Sequence, residues 1–298
     1  MNIIEIKNKY ESGISLTKLA KIYNTTLGKL TRSLKKIGVE IINRHNTLKF
    51  NEYYFDSIDT EEKAYWLGFI FADGCIMSNT YSFELTLGLK DKNHIDKFIR
   101  SINYSGKIYT KKHSISCCLR SKHLWTTLNN YGCTPKKSLT LNFPELTIFK
   151  NRDLLIPFIR GYFDGDGCIT QHIHPNIVSP HISLLGTKFF LEELIKNINI
   201  NINGNFRHDK RHSDNTFSLN FCKESGIKFI NLIYSNSNIY LDRKYSKFLF
   251  FKNGSRSIQE WIELLSGKIG EIPLQENAEV NIEIKKSISP YSVDDEPV

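Results

Sequence analysis

The sequence predicts an α+β fold: two copies of an αββαββα unit, each with a four-stranded antiparallel sheet, preceded by a small all-α segment. Three observations predict it. A short stretch occurs twice, WLGFIFADGCI at 66–76 and IRGYFDGDGCI at 159–169, superimposing so that Asp73 falls on Asp166, Gly74 on Gly167 and Cys75 on Cys168. Each copy is followed by alternating, strand-like sequence and then by amphipathic helix. The two aspartates are 93 residues apart, a spacing that fits one repeat of such a unit.

Residues 1–46 read as a self-contained helical segment. Leu16, Leu19, Ala20, Ile22, Tyr23, Leu27, Leu30, Leu34 and Ile37 recur at helical spacing. A break at 24–26 separates two helices, with Thr25 or Thr26 as N-cap. The pattern resembles a helix-turn-helix of the resolvase type, whose second helix enters a major groove with its N-terminal residues over the bases. On that reading Thr26, Lys29, Arg32, Ser33 and Lys36 face outward. Residues 47–60 are a polar linker with scattered aromatics, expected to dock on the next domain.

The first repeat, 61–150, opens with a helix capped by Asp59 or Thr60 and running into the first copy of the motif. Next comes a half-buried strand with Phe83, Leu85, Leu87 and Leu89 inward, then an amphipathic helix burying Ile95, Phe98, Ile99 and Ile102. Two short strands, KIYTKK and SISCCLRS, meet at Lys112 and His113, and a last helix is stopped by Gly132. The second repeat, 151–254, keeps the same order. Its motif helix carries Pro157 near the start, where a missing N–H does least harm. Strands CITQHIH and HISLLGT, helix TKFFLEELIKNIN, a hairpin from GNFRHDKRH and NTFSLNF, and helix KESGIKFINLIYS complete it. Residues 255–298 start with an amphipathic helix, SIQEWIELL, and continue as an acidic tail.

The repeated motif carries the chemistry. Gly68 and Ala72 in one copy, Gly161 and Gly165 in the other, lie four residues apart, so each helix presents a face nearly bare of side chains on which another backbone can lie. The glycine after each motif aspartate is expected to end its helix in the left-handed conformation. Two such helices packed face to face deliver Asp73 and Asp166 to one end of the pair. Carboxylates there meet the negative ends of the helix dipoles and each other, which raises their pKa values. A divalent cation reverses that repulsion, and hard, oxygen-ligated Mg²⁺, or Mn²⁺, suits paired carboxylates with phosphate oxygens and water.

On these residues the chain resembles the LAGLIDADG homing endonucleases in their single-chain, two-motif form. It departs at Trp66-Leu67, where the family pattern has Leu-Ala, and at Phe71, where many members have Asp. The resemblance implies a pseudo-dimer whose two antiparallel sheets form a DNA-binding saddle. It also implies divalent-metal-dependent phosphodiester hydrolysis giving a staggered double-strand break at a long target site. Asp73 and Asp166, with the backbone carbonyls of Ala72 and Gly165, are then the implied metal ligands. Lys137 in CTPKKSLTL and Lys244 in YLDRKYSKF match the family's paired lysines near the metals, and Lys136 and Arg243 could exchange places with them.

Charge agrees with a polyanionic partner. The formal net charge is +9. Seven acidic and two basic residues from Glu271 onward leave +14 on the preceding 270 residues. The candidate DNA contacts are Lys29, Arg32 and Lys36 in the helical segment, and Lys107, Tyr109, Lys111, Lys112, His113 and Arg120 on the first hairpin. Arg207, His208, Lys210, Arg211 and His212 occupy the matching place in the second repeat. Six cysteines without metal-ligand spacing indicate neither a zinc site nor a disulfide framework and read as buried free thiols. With no signal peptide or membrane-length apolar run, the expectation is a soluble, intracellular monomer in the cytoplasm of a host cell or an organelle matrix. Two alternatives stand beside the nuclease: an RNA maturase assisting intron splicing, with intron RNA as partner, and a non-catalytic DNA-binding regulator.

Overall fold

A computed structural model of the chain describes residues 2–12, 14–39, 41, 49–78, 80–198, 204–209 and 215–265. Contacts divide the chain into two compact units, the first ending at Gly165 and the second beginning at Asp166.

The first unit opens with three short helices, α1 (Ile3–Glu11), α2 (Leu16–Ile22) and α3 (Leu27–Lys36). Asn2, Ser15 and Thr26 cap them, each side chain accepting a first-turn backbone N–H, so Thr26 rather than Thr25 starts α3. The helices enclose their own small core of Ile6, Tyr10, Leu19, Leu30, Leu34 and Val39. The stretch from residue 49 docks through buried Tyr54, Phe55 and Ile58.

Then comes α4 (Glu61–Asp73), capped by Thr60, which accepts the Lys63 N–H at 3.3 Å. It is buried on every face from Ala64 to Phe71, as expected of a helix apolar all round. Strands β1 (Gly74–Met77), β2 (Ser82–Gly88), β3 (Ile108–Thr110) and β4 (Ser114–Arg120) form an antiparallel sheet in the order β1-β2-β4-β3. Helix α5 (Lys92–Ser101) and helix α6 (Lys122–Asn130) complete the repeat. Leu89, expected inward, is exposed because β2 stops at Gly88 and Leu89 opens a 3-10 turn. Gly132, at φ +102°, takes the left-handed conformation that ends α6. Gly74 does not: it sits at φ −71°, ψ 139°, passing straight into β1. Its glycine requirement is spatial, since a Cβ there would lie 2.6 Å from the Ile70 carbonyl oxygen and 2.8 Å from the Phe83 ring. Helix α7 (Leu155–Asp166) belongs to the same unit up to Gly165.

The second unit repeats the topology. Strands β5 (Gly167–Ile173), β6 (Ile177–Gly186), β7 (Asn205–His208) and β8 (Phe217–Cys222) take the order β5-β6-β8-β7, the permutation of the first sheet. Helix α8 (Lys188–Asn197) and helix α9 (Lys223–Tyr234) occupy the expected places. Two features go beyond the expectation. A helix α10 (Asp242–Phe251) comes after α9, and its Phe248 stacks on Tyr234. A two-residue strand β9 (Arg256–Ser257) pairs with the start of β6, so this sheet has five strands rather than four. The amphipathic helix expected in SIQEWIELL forms as α11 (Ile258–Leu265), anchored by Trp261 against Phe250 and Phe251. The acidic sequence beyond it lies outside the described residues.

Candidate functional site

The site is built on contacts between α4 and α7. A Cβ added to Gly68 would fall 1.9 Å from the Phe158 carbonyl oxygen, and one added to Gly161 would fall 1.9 Å from the Tyr65 carbonyl oxygen. The two helices therefore touch backbone to backbone in a reciprocal pair of crossings, which is the purpose of the small residues. One turn further on, a Cβ at Gly165 would lie 2.3 Å from that of Ala72 and 3.3 Å from an Asp73 carboxylate oxygen. The close approach thus continues to the last turn of α4, where Asp73 is the final residue, and Asp166 is the final residue of α7.

The flanks of this contact differ, although the motif repeats. Where the first copy has Phe71, the second has Asp164; where the second has Phe158, the first has Tyr65. One flank is consequently aromatic, with Phe71 and Phe158 edge to face at 5.2 Å and Phe143 and Phe149 beside them. The other is polar and buried. The Tyr65 hydroxyl donates to Asp164 Oδ2 at 2.7 Å and lies 2.9 Å from His94 Nε2, which with that phenol proton committed is the donor of the second bond. Arg160 forms an ion pair with Glu61 and lies over the Tyr65 ring at 5.6 Å. Buried polar groups of this kind are tolerated because each finds a partner. No local pattern in the sequence marks Tyr65, His94, Arg160 and Asp164, because Tyr65 and its partner Asp164 are 99 positions apart in the chain.

The lysines separate cleanly. Lys137 is buried, and its Nζ donates to the Ala72 carbonyl at 2.6 Å, while its neighbour Lys136, held at φ +59°, is exposed. In the second unit Lys244 is buried and Arg243 exposed. The backbone carbonyl expected to assist a metal is therefore already the acceptor of a cationic donor, and retains its second lone pair. Also in the second unit, Lys247 Nζ donates to the Ile169 carbonyl at 2.8 Å. Among the described residues, no group of three or more His, Cys, Asp or Glu side chains could hold a metal alone.

The sheets present outer faces set by strand alternation. In the first, Cys75, Glu84 and Cys118 form one row across β1, β2 and β4, and Thr86, Ser116 and Tyr109 form the next across β2, β4 and β3. Arg120 and Tyr109 lie on that face, Lys107 sits over the Tyr109 ring at 5.1 Å, and Lys111, Lys112 and His113 make the exposed hairpin tip. In the second, Cys168, Ser183, Asn220 and Asn205 share a row, and Arg207 opposes Ser218. His208 opposes Phe217 with ring centroids 5.1 Å apart, on the alternate face from Arg207. Lys210, Arg211 and His212 lie outside the described residues. His172 and His181, unremarked in the sequence, stack at 4.7 Å on this outer face. In the helical segment Lys29, Arg32 and Lys36 are exposed on α3.

The cysteines do not all match expectation. Cys117 and Cys133 are buried, and burial pushes both thiols up to about 12. Cys75, Cys118 and Cys168 are exposed because each falls on an outward strand position.

No family model matches the chain. An uncharacterized protein of Methanocaldococcus jannaschii is 25% identical over 137 residues, which span 43% of this chain and 49% of that protein, so the match covers about half of the relative's length. Among solved structures, the chain is similar to the LAGLIDADG homing endonuclease I-GzeII in complex with its DNA target, at TM-score 0.47 and 15% identity, covering 70% of this chain and 93% of that one. It is similar to the LAGLIDADG meganuclease I-AabMI bound to uncleaved DNA at TM-score 0.45 and 14% identity, covering 68% and 91%. Variants of the homing endonuclease I-DmoI match at TM-score 0.40 and 19% identity, covering 63% and 98%. No helix among the described residues is long and apolar enough to cross a membrane.

Proposed function

We propose that this chain is a site-specific DNA endonuclease of the LAGLIDADG homing type. It hydrolyses one phosphodiester bond in each strand of a duplex and leaves a staggered break. The observation that carries the reading is the backbone-close approach of α7 to the last turn of α4. Gly165 there lies against Ala72 and the Asp73 carboxylate, and a buried lysine is directed at the Ala72 carbonyl.

The donors fit a hard divalent cation: carboxylates of Asp73 and Asp166 and main-chain carbonyls, with a position at 165 where any side chain would press on the Asp73 carboxylate. Asp73 and Asp166 would hold the ions, with the carbonyls of Ala72 and Gly165 assisting. Bound Mg²⁺ or Mn²⁺ supplies Lewis acidity and a more acidic water. Lys137 and Lys244 contribute positive charge beside the phosphate, where hydrolysis concentrates negative charge on non-bridging oxygens. No side chain acts as nucleophile. In this reading 61–150 and 151–254 are the two repeats, whose sheets lie on the duplex through Lys107, Tyr109, Arg120 and Arg207 and the hairpin tips. Residues 1–46 add a helix-turn-helix contact through Lys29, Arg32 and Lys36.

The test is incubation of the purified protein with DNA spanning its own insertion locus, in Mg²⁺ and in EDTA. Cutting that requires the metal and is lost in Asp73→Asn and Asp166→Asn is the expected result. Tight binding without cutting under any divalent ion would sink the nuclease reading in favour of a regulator. Accelerated splicing of a host intron by a protein that does not cut would favour a maturase.

A further inference from the structure

The outer face of the second sheet carries a cluster that the cutting chemistry does not use. His181 opposes Thr170, and His172 opposes Ser179, so the two histidines are diagonal neighbours on one face of β5 and β6. Their rings stack nearly parallel, 13° apart with centroids at 4.7 Å. A groove beside them is lined by His181, Ser183, Arg207, Asp209, Ser218 and Asn220. Of the charged and titratable groups around the stack, Arg207, His208 and Asp209 line the same groove as His181. Arg256 on β9 is paired with Glu260, and Lys247 from α10 is bonded to the Ile169 carbonyl. Two imidazoles in ring contact beside a guanidinium cannot both carry charge without mutual repulsion. Accordingly the His181 pKa is held below the ordinary imidazole value, by burial first and then by its neighbours His172 and Arg207. Without an anion beside it, His181 thus favours its neutral, hydrogen-bonding form.

An anion entering the groove changes the balance. A phosphodiester oxygen can accept from Arg207 and the Ser183 hydroxyl, the Ser218 hydroxyl and the Asn220 amide being engaged with each other and with the Asn205 carbonyl, and its charge favours an imidazolium beside it. We propose that His172 and His181, with Arg207 and Ser183, form a phosphodiester-binding subsite that takes up a proton when duplex DNA binds. The inference rests on the DNA-binding reading above and adds to it a proton-linked grip by the second repeat. Linkage sets the sign. The imidazole pKa is higher in the complex than in the protein without DNA, so the added affinity is fully present below the lower of the two values and is lost as pH rises through the higher. One proton taken up changes affinity by up to about tenfold per pH unit inside that window.

The experiment uses the full chain and a fluorescein-labelled random-sequence 30-base-pair duplex in EDTA at fixed ionic strength, with anisotropy measured from pH 5.5 to 8.5. The wild type is expected to lose about tenfold in affinity between pH 6 and pH 8. His172→Gln combined with His181→Gln should flatten that profile. Thermal melting at pH 8 checks that this variant folds, and His172→Asn alone, altering only the exposed ring, is the second variant, expected to reduce the slope. Binding with the same pH profile in wild type and variants overturns the subsite and leaves the DNA reading standing. No binding by the wild type at any pH overturns both.

Discussion

Replacing Gly161 with alanine tests the helix contact on which the site is built. In an exposed helix this change stabilises by about 1 kcal/mol, because glycine loses more backbone entropy than alanine. Here the new Cβ falls 1.9 Å from the Tyr65 carbonyl oxygen, 2.8 Å from its carbon and 2.9 Å from the Phe69 nitrogen, all backbone atoms that no rotamer change can clear. Reaching even the 3.0 Å that real Cβ atoms essentially never undercut requires α4 and α7 to part by more than 1 Å. That movement strains the reciprocal Gly68 crossing, the Gly165 contact and the 2.7 Å bond from Tyr65 to Asp164 together. Overpacking of a tight core usually destabilises by 1–3 kcal/mol, and loosening a buried hydrogen bond adds about 1 kcal/mol. After the helix-propensity gain the net loss is about 2 kcal/mol, or roughly 4–8 °C in Tm for a chain of this size. Urea unfolding and thermal melting by circular dichroism measure it. Gly28→Ala is the matched control: it lies in α3 with nothing within 4 Å of its added Cβ, and should raise stability by roughly 0.5–1 kcal/mol. A Gly161→Ala protein as stable as the wild type would refute the backbone contact.

Other consequences can be checked in the same preparations. Tyr65→Phe deprives Asp164 Oδ2 of its donor in a buried setting and should destabilise by roughly 1–3 kcal/mol, measured by urea unfolding, whereas an exposed Tyr53→Phe should stay within roughly 0.5 kcal/mol. Lys137→Met keeps the alkyl volume and removes the cation from the Ala72 carbonyl. DNA cleavage should fall by at least about a hundredfold while Tm moves by only a few degrees, and unchanged cleavage would remove Lys137 from the reaction. Native alkylation and subsequent peptide mapping should show Cys75 and Cys168 modified well before Cys117 and Cys133, whose thiols are buried and shifted upward.

Much of the architecture was legible because it is written in local periodicity. The alternation in 82–88 and the helical spacing in 92–101 specify their elements without reference to the rest of the chain, and duplication made each repeat a check on the other. The departures occur where distant residues decide. Gly74 was expected to end α4 in a left-handed turn, but the nearby Phe83 ring and Ile70 carbonyl, not backbone conformation, demand the glycine. The strand β9 exists only because residues 256–257 meet the start of β6, a pairing no short window contains.

By itself, then, the sequence determined the order of elements, the doubled motif with its small residues, and the cationic excess, since all three depend on residue type and spacing alone. The tertiary structure decided which side chains meet. It buried Lys137 while exposing Lys136, made one flank of the α4 and α7 contact polar and the other aromatic, and stacked His172 on His181. The physical reason is that burial and hydrogen-bond partnership are properties of pairs brought together by folding, and the partner can lie 99 residues away.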